Sequence, residues 1–148
     1  MLMRRVIFVV FFTVCFFAFN NVHSGEPSPV GVWKTISDEG EHKGKASSYI
    51  QVYEKDGVYY GKVIKLLLDP QDKKCDKCQG ALKNTRIVGM VILKGMKKEG
   101  DTYKGGQIMD PANGKTYRCK FWLMGNNKLK VRGYLLFFFR TSYWYRVK

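Results

Sequence analysis

From Gly31-Val32-Trp33 to its end, the chain is a train of short alternating segments, each cut off by Gly, Asp-Gly or Asn-Gly. Alternation at the strand period of two makes one wet and one dry face, and the punctuation joins neighbouring strands as hairpins. The segments run 30–36, 47–54, 58–67, 87–97, 102–109, 115–124, 128–139 and 140–147. No stretch has helical periodicity of useful length. The expected fold is therefore all-β, an eight-stranded antiparallel up-and-down barrel, whose closure removes the edge strands a flat sheet would leave open. A two-sheet sandwich competes, but it usually needs Greek-key crossings, and these links are mostly short.

The 24 residues before Gly25 predict a cleavable secretory signal. Arg4 and Arg5 form a positive start, residues 6–19 are apolar apart from Thr13, and Val22-His23-Ser24 suits the peptidase. The apolar run is shorter than the roughly 20 residues a spanning helix needs, which weighs against a retained anchor. Val14 before Cys15 does not suit a lipoprotein. Cleavage near Ser24 would leave one domain, residues 25–148, in the periplasm or secreted. Loss of Arg4 and Arg5 would lower the net charge from +14 to +12.

The positive charge is spread along most strands, as a solvated exterior that in an envelope compartment lies near anionic lipid. A nucleic-acid partner is not expected, because the chain has no zinc-finger spacing, helix-turn-helix pattern or aromatic RNP-like motif. Nor does any catalytic constellation emerge. His42 is the only histidine after residue 24 and sits among charged loop residues, no Ser lies in a nucleophile elbow, and both Asp-Pro pairs read as turns. No cofactor is expected.

Cys75-Asp76-Lys77-Cys78 is the motif with the most chemical character. In an oxidising compartment the default is a disulfide between Cys75 and Cys78, placed in solvent by its charged loop. A redox role would want the first thiol at a helix N-terminus, and no helix is expected here. A closed zinc site needs four ligands, and Cys75, Cys78 and Cys119 make three. Cys119 is then left as a buried free thiol.

Alternation also orients the last strands. Tyr117, Cys119, Phe121 and Leu123 should face inward, as should Leu129, Val131, Gly133, Leu135 and Phe137. Arg140, Ser142, Trp144 and Arg146 share a face. If that face is inward, Arg140 needs an anion, from a ligand or from an acid such as Asp110. Both faces turn apolar across residues 135–139, which places that run at the mouth, against a partner, or buried on both sides.

Taken together, the pieces resemble the DUF2147 family of small exported bacterial proteins of uncharacterised function. They are Gly31-Val32-Trp33, Tyr53-Glu54-Lys55-Asp56-Gly57, Tyr60-Gly61-Lys62-Val63, the Cys75–Cys78 motif, Ile87-Val88-Gly89-Met90 and Gly105-Gly106-Gln107-Ile108-Met109-Asp110-Pro111. Asn113-Gly114-Lys115-Thr116-Tyr117, Lys130-Val131-Arg132-Gly133-Tyr134 and Arg140 with Trp144-Tyr145-Arg146 complete the set. The resemblance implies a lipocalin-like barrel, in which the Trp of a Gly-x-Trp element packs at the closed end under an Arg. Trp33 fits the first role, and Arg140 or Arg146 the second.

An eight-stranded barrel either fills its interior or holds one small ligand. The leading expectation is a carrier of a small apolar or amphipathic molecule, with Trp33, Tyr117, Phe121, Leu135, Arg140, Trp144 and Arg146 as ligand-binding candidates. A filled barrel would instead suit an interaction protein docking on an envelope protein or an anionic membrane surface. A thiol-redox protein acting through Cys75 and Cys78 is the third option.

Overall fold

A computed structural model describes residues 25–147. The expected export signal over residues 1–24 lies outside the described residues. Eight strands follow in order: β1 (Gly31–Ile36), β2 (Ala46–Lys55), β3 (Val58–Leu66), β4 (Val91–Glu99), β5 (Thr102–Asp110), β6 (Lys115–Met124), β7 (Lys128–Leu135) and β8 (Phe138–Arg146). Each pairs antiparallel with the next, and β8 returns to β1 to close the barrel. The only helical pieces among the described residues are two three-residue 3-10 turns, Gly40–His42 and Gly80–Leu82.

The connections gather at the two ends of the barrel. At one end the β2–β3, β4–β5 and β6–β7 links are tight turns; Asp56 and Gly57, at φ 54° and 75°, take the left-handed conformations of a hairpin turn. The other end carries the β1–β2 loop, the long β3–β4 connection, the β5–β6 turn and the β7–β8 hairpin. The first end is closed and the second is the mouth.

Two boundaries depart from the sequence expectation. The fourth strand starts at Val91 rather than residue 87, because the preceding backbone is used elsewhere. Ile87 donates to the Lys73 carbonyl, and Gly89 donates to Val63 through a turn at φ 96°. The run 128–139 is not one strand but the end of β7, a two-residue turn at Leu136-Phe137 and the start of β8. Phe137 is therefore a turn residue, 97% exposed, and not an inward one; the whole 136–139 run is exposed rather than buried on both sides. Leu136 sits at φ 54°, a conformation that such turns usually give to Gly or Asn and that costs a Leu about 1–2 kcal/mol.

The closed half of the barrel is solid. Tyr103 stacks on Phe121 at 4.6 Å, and Ile50, Val52, Leu93, Met96 and Leu129 are buried around Trp33. The Trp33 indole N–H donates to the Pro29 carbonyl at 2.8 Å, so the buried ring has its polar atom satisfied. Gly31 explains itself by close approach. Its φ is 143°, and a Cβ there would lie 2.6 Å from the Arg146 guanidinium that covers Trp33.

Candidate functional site

The mouth half of the barrel is hollow. A cavity of about 370 Å³ opens there, between the first strands on one side and β5–β8 on the other. Its depth is apolar, walled by Ile50, Ile92, Ile108, Val131 and Trp144. Ile50, Val131 and Trp144 point inward because strand alternation continues the dry face of the solid half, whereas register shifts in β4 and β5 bring Ile92 and Ile108 to the same side. Where the Phe121 level fills the bore, Gly133 on the neighbouring strand leaves the space above it open, and Tyr117 borders that space.

One wall carries hydroxyls. The β1–β2 register slips between Thr35 and Ile36, leaving Ser47 as the extra residue. Thr35 Oγ1 lies 2.7 Å from both the Ser47 and the Ser48 hydroxyl, and all three line the cavity. Ser142 adds a fourth hydroxyl from β8. Such a cluster, set in an apolar wall, can orient the polar group of a bound molecule.

The rim is charged. Arg140 reaches across to the β1–β2 loop, where Nε donates to Asp38 Oδ2 at 2.6 Å and Nη2 to Asp38 Oδ1. Nη1 lies 2.8 Å from Glu39 Oε1. The acid that meets Arg140 is thus Asp38, with Glu39, and not Asp110. Asp110 is occupied in its own turn, accepting from the Ala112 N–H and the Asn113 side-chain amide. The hydrogen bond from Arg140 holds the Asp38 carboxyl below its usual range against a smaller opposing effect of burial, and Asp38 raises Arg140 in return.

Of the residues expected from sequence to bind a ligand, Tyr117, Leu135, Arg140 and Trp144 line the cavity. Trp33, Phe121 and Arg146 are not on its wall. Trp33 and Phe121 are wholly buried in the solid half. Arg146 is outside it, with its guanidinium carbon 4.2 Å from the Trp33 ring centre and its nitrogens bonded to the carbonyls of Ser28, Val30 and Asn126. Alternation gave Phe121 the correct face but carried no information about depth along the barrel. The cavity residues missed include Ile92 and Ile108 on its apolar wall, the β1–β2 hydroxyls and Asp38. Counting back by twos from Ile50 reaches Ser48; the bulge that adds Ser47 and the loop that presents Asp38 have no sequence signal.

The long β3–β4 connection folds over the mouth end and holds a Cys75–Cys78 disulfide. The bridge is not in solvent as its charged neighbours suggested. Cys75 and Cys78 are 0% and 1% exposed, because the loop turns its charges outward and packs the sulfurs on β5 and the β5–β6 turn. Cys75 Sγ lies 3.5 Å from the Pro111 carbonyl and Cys78 Sγ 3.8 Å from Met109 Sδ. Gly114 permits this, since a Cβ there would lie 1.9 Å from the Lys77 carbonyl oxygen. Cys119 is a buried free thiol, pushed up to about 12 by desolvation. Among the described residues no three His, Cys, Asp or Glu side chains converge as metal ligands.

The comparisons agree with this architecture. The model of a family described as an uncharacterized protein conserved in bacteria, DUF2147, matches residues 31–146. Among solved structures, protein HP1028 from Helicobacter pylori, described as belonging to the lipocalin family, is similar with a TM-score of 0.72 and 23% identity. The match covers 83% of this chain and 85% of that one. No match is found among curated proteins.

Proposed function

The chain belongs to the DUF2147 family, and from that premise we propose that it is an exported carrier of one small apolar or amphipathic molecule. The observation that carries the reading is the half-hollow barrel: a solid closed end beneath an open cavity of about 370 Å³. That volume falls in the range of roughly 300–1,000 Å³ common to small-molecule sites. The apolar part of the ligand lies against Ile92, Ile108, Val131 and Trp144, and its polar group meets the Thr35, Ser47 and Ser48 hydroxyls. Arg140 already has two carboxylate partners, so an uncharged polar group suits this rim as well as an anionic one. The lipocalin-like fold is one that holds ligands in this position.

Export rests on the sequence of residues 1–24 and fits a disulfide-bearing barrel. The thiol-redox alternative is disfavoured by access, since exchange requires a thiolate to reach one sulfur and both are buried. Native mass spectrometry of protein recovered from the periplasm tests the reading. A bound small molecule released on denaturation is expected. A bare chain that also fails to take up any apolar probe would contradict it.

A further inference from the structure

The β7–β8 hairpin ends in bare hydrocarbon. Leu136, Phe137 and Phe138 are 77%, 97% and 77% exposed, and Leu136 holds a positive φ that a Gly would adopt without strain. A turn of this kind is ordinarily polar, and an apolar tip retained against backbone preference points to a contact outside the chain. The strands behind the tip, β6–β8, carry one sign of charge of their own, with Asp38 and Glu39 of the β1–β2 loop meeting Arg140 at the rim. From Lys115 to Lys148 the sequence has nine Lys and Arg and no Asp or Glu.

On the outer face of β6–β8 these cations interleave with aromatic rings. Arg132 lies 4.3 Å from the Phe139 ring centre and 5.6 Å from Trp122; Lys130 lies 5.3 Å from Trp122. Lys120 lies 5.6 Å from the Tyr134 ring, and Lys128 4.3 Å from Tyr143. None of Arg118, Lys120, Lys128, Lys130 and Arg132 forms an ion pair with a described residue.

We propose that the Leu136-Phe137-Phe138 tip and the basic, aromatic β6–β8 face dock on an anionic lipid bilayer. The tip enters the acyl region, and Arg118, Lys120 and Arg132, which form no ion pair with a described residue, meet lipid phosphates. Aromatic rings between them sit at the headgroup level, where amphipathic rings are favoured. A second copy of the chain is a poor occupant, since it would bring the same uncompensated cations against this face. The tip alone is also far smaller than the roughly 1,200 Å² a stable interface buries. Because Phe138 and Phe139 also border the cavity, the docked barrel presents its mouth to the membrane. The proposal stands whether or not the cavity carries a ligand.

Liposome flotation tests it, using the chain from Gly25, which holds every residue of the closed barrel and its core. Binding is expected to phosphatidylcholine vesicles containing roughly a quarter phosphatidylglycerol, and to fade with added salt or without the anionic lipid. L136G/F137S, which relieves the turn, should weaken binding about tenfold or more, while the melting temperature holds or rises. R118Q/K120Q should weaken binding and flatten its salt dependence. No binding to anionic vesicles, or equal binding by L136G/F137S, would overturn the proposal. So would a dimer in sedimentation velocity that L136G/F137S dissolves, because a second copy would then be the occupant.

Discussion

Arg146, the last residue of β8, stacks its guanidinium 4.2 Å from the ring of Trp33 in β1, across the seam that closes the barrel. The seam has only three paired positions, so this stack, with hydrogen bonds to Ser28, Val30 and Asn126, ties the two ends of the fold together. Trp33→Ala should cost about 3–5 kcal/mol in urea unfolding through the cavity it leaves. Arg146→Ala should cost about 1–3 kcal/mol, and Arg146→Lys should recover little, because an ammonium has no planar fork. Full rescue by Lys would mean that charge alone closes the seam.

The Asp38–Arg140 pair should fasten the β1–β2 loop across the mouth in a pH-dependent way. The folded Asp38 pKa is depressed, so its contribution to stability is present above the unfolded value and is lost as pH falls through the folded one. The pair is partly exposed, which limits it to about 1 kcal/mol or less. Asp38→Asn should therefore be slightly less stable than the native protein at neutral pH and equal to it once both carboxyls are protonated. Amide exchange over residues 37–45 should show the same convergence. A difference that persists once Asp38 is protonated in the folded state would assign the effect to something other than the charge.

The cysteines make a labelling prediction. In the oxidised chain from Gly25, alkylation at neutral pH should modify nothing while folded and one thiol, Cys119, on denaturation. Burial pushes the folded Cys119 thiol up to about 12, so its contribution is complete below the unfolded thiol value and declines as pH rises toward the folded one. Cys119→Ala should remove that part of the alkaline destabilisation. Gly114→Ala should undock the Cys75–Cys78 loop and expose the bridge to reductant while the barrel's circular dichroism persists. A peptide linking Cys119 to either partner would contradict the assignment.

How much of this was legible from sequence follows from what alternation encodes. Strand number, order and closure were legible, because Asp56-Gly57 and similar breaks fix hairpins locally. The split at Leu136-Phe137 was not, since a turn made of Leu and Phe looks like strand by composition and is identified only by its positive φ. The inward faces of β6 and β7 were correct, yet alternation cannot tell Phe121 in the solid half from Tyr117 beside the cavity. Charged neighbours put Cys75 and Cys78 in solvent, whereas the loop's own fold turns those charges out and the sulfurs in. Asp38 meets Arg140 across 102 residues of sequence, a pairing no local pattern announces.

The central claim is that the hollow half of the barrel takes a ligand, and a titration with an apolar fluorescent probe tests it most directly. Ser142 points into the cavity from β8, so Ser142→Trp should fill that space without touching the solid half. The native chain should bind one probe, and Ser142→Trp should weaken binding about tenfold or more with its β-sheet spectrum unchanged. L136G/F137S serves as the control for probe held on the exposed hairpin and should bind as the native chain does. Undiminished binding by Ser142→Trp, or loss of binding in the hairpin variant alone, would contradict the account.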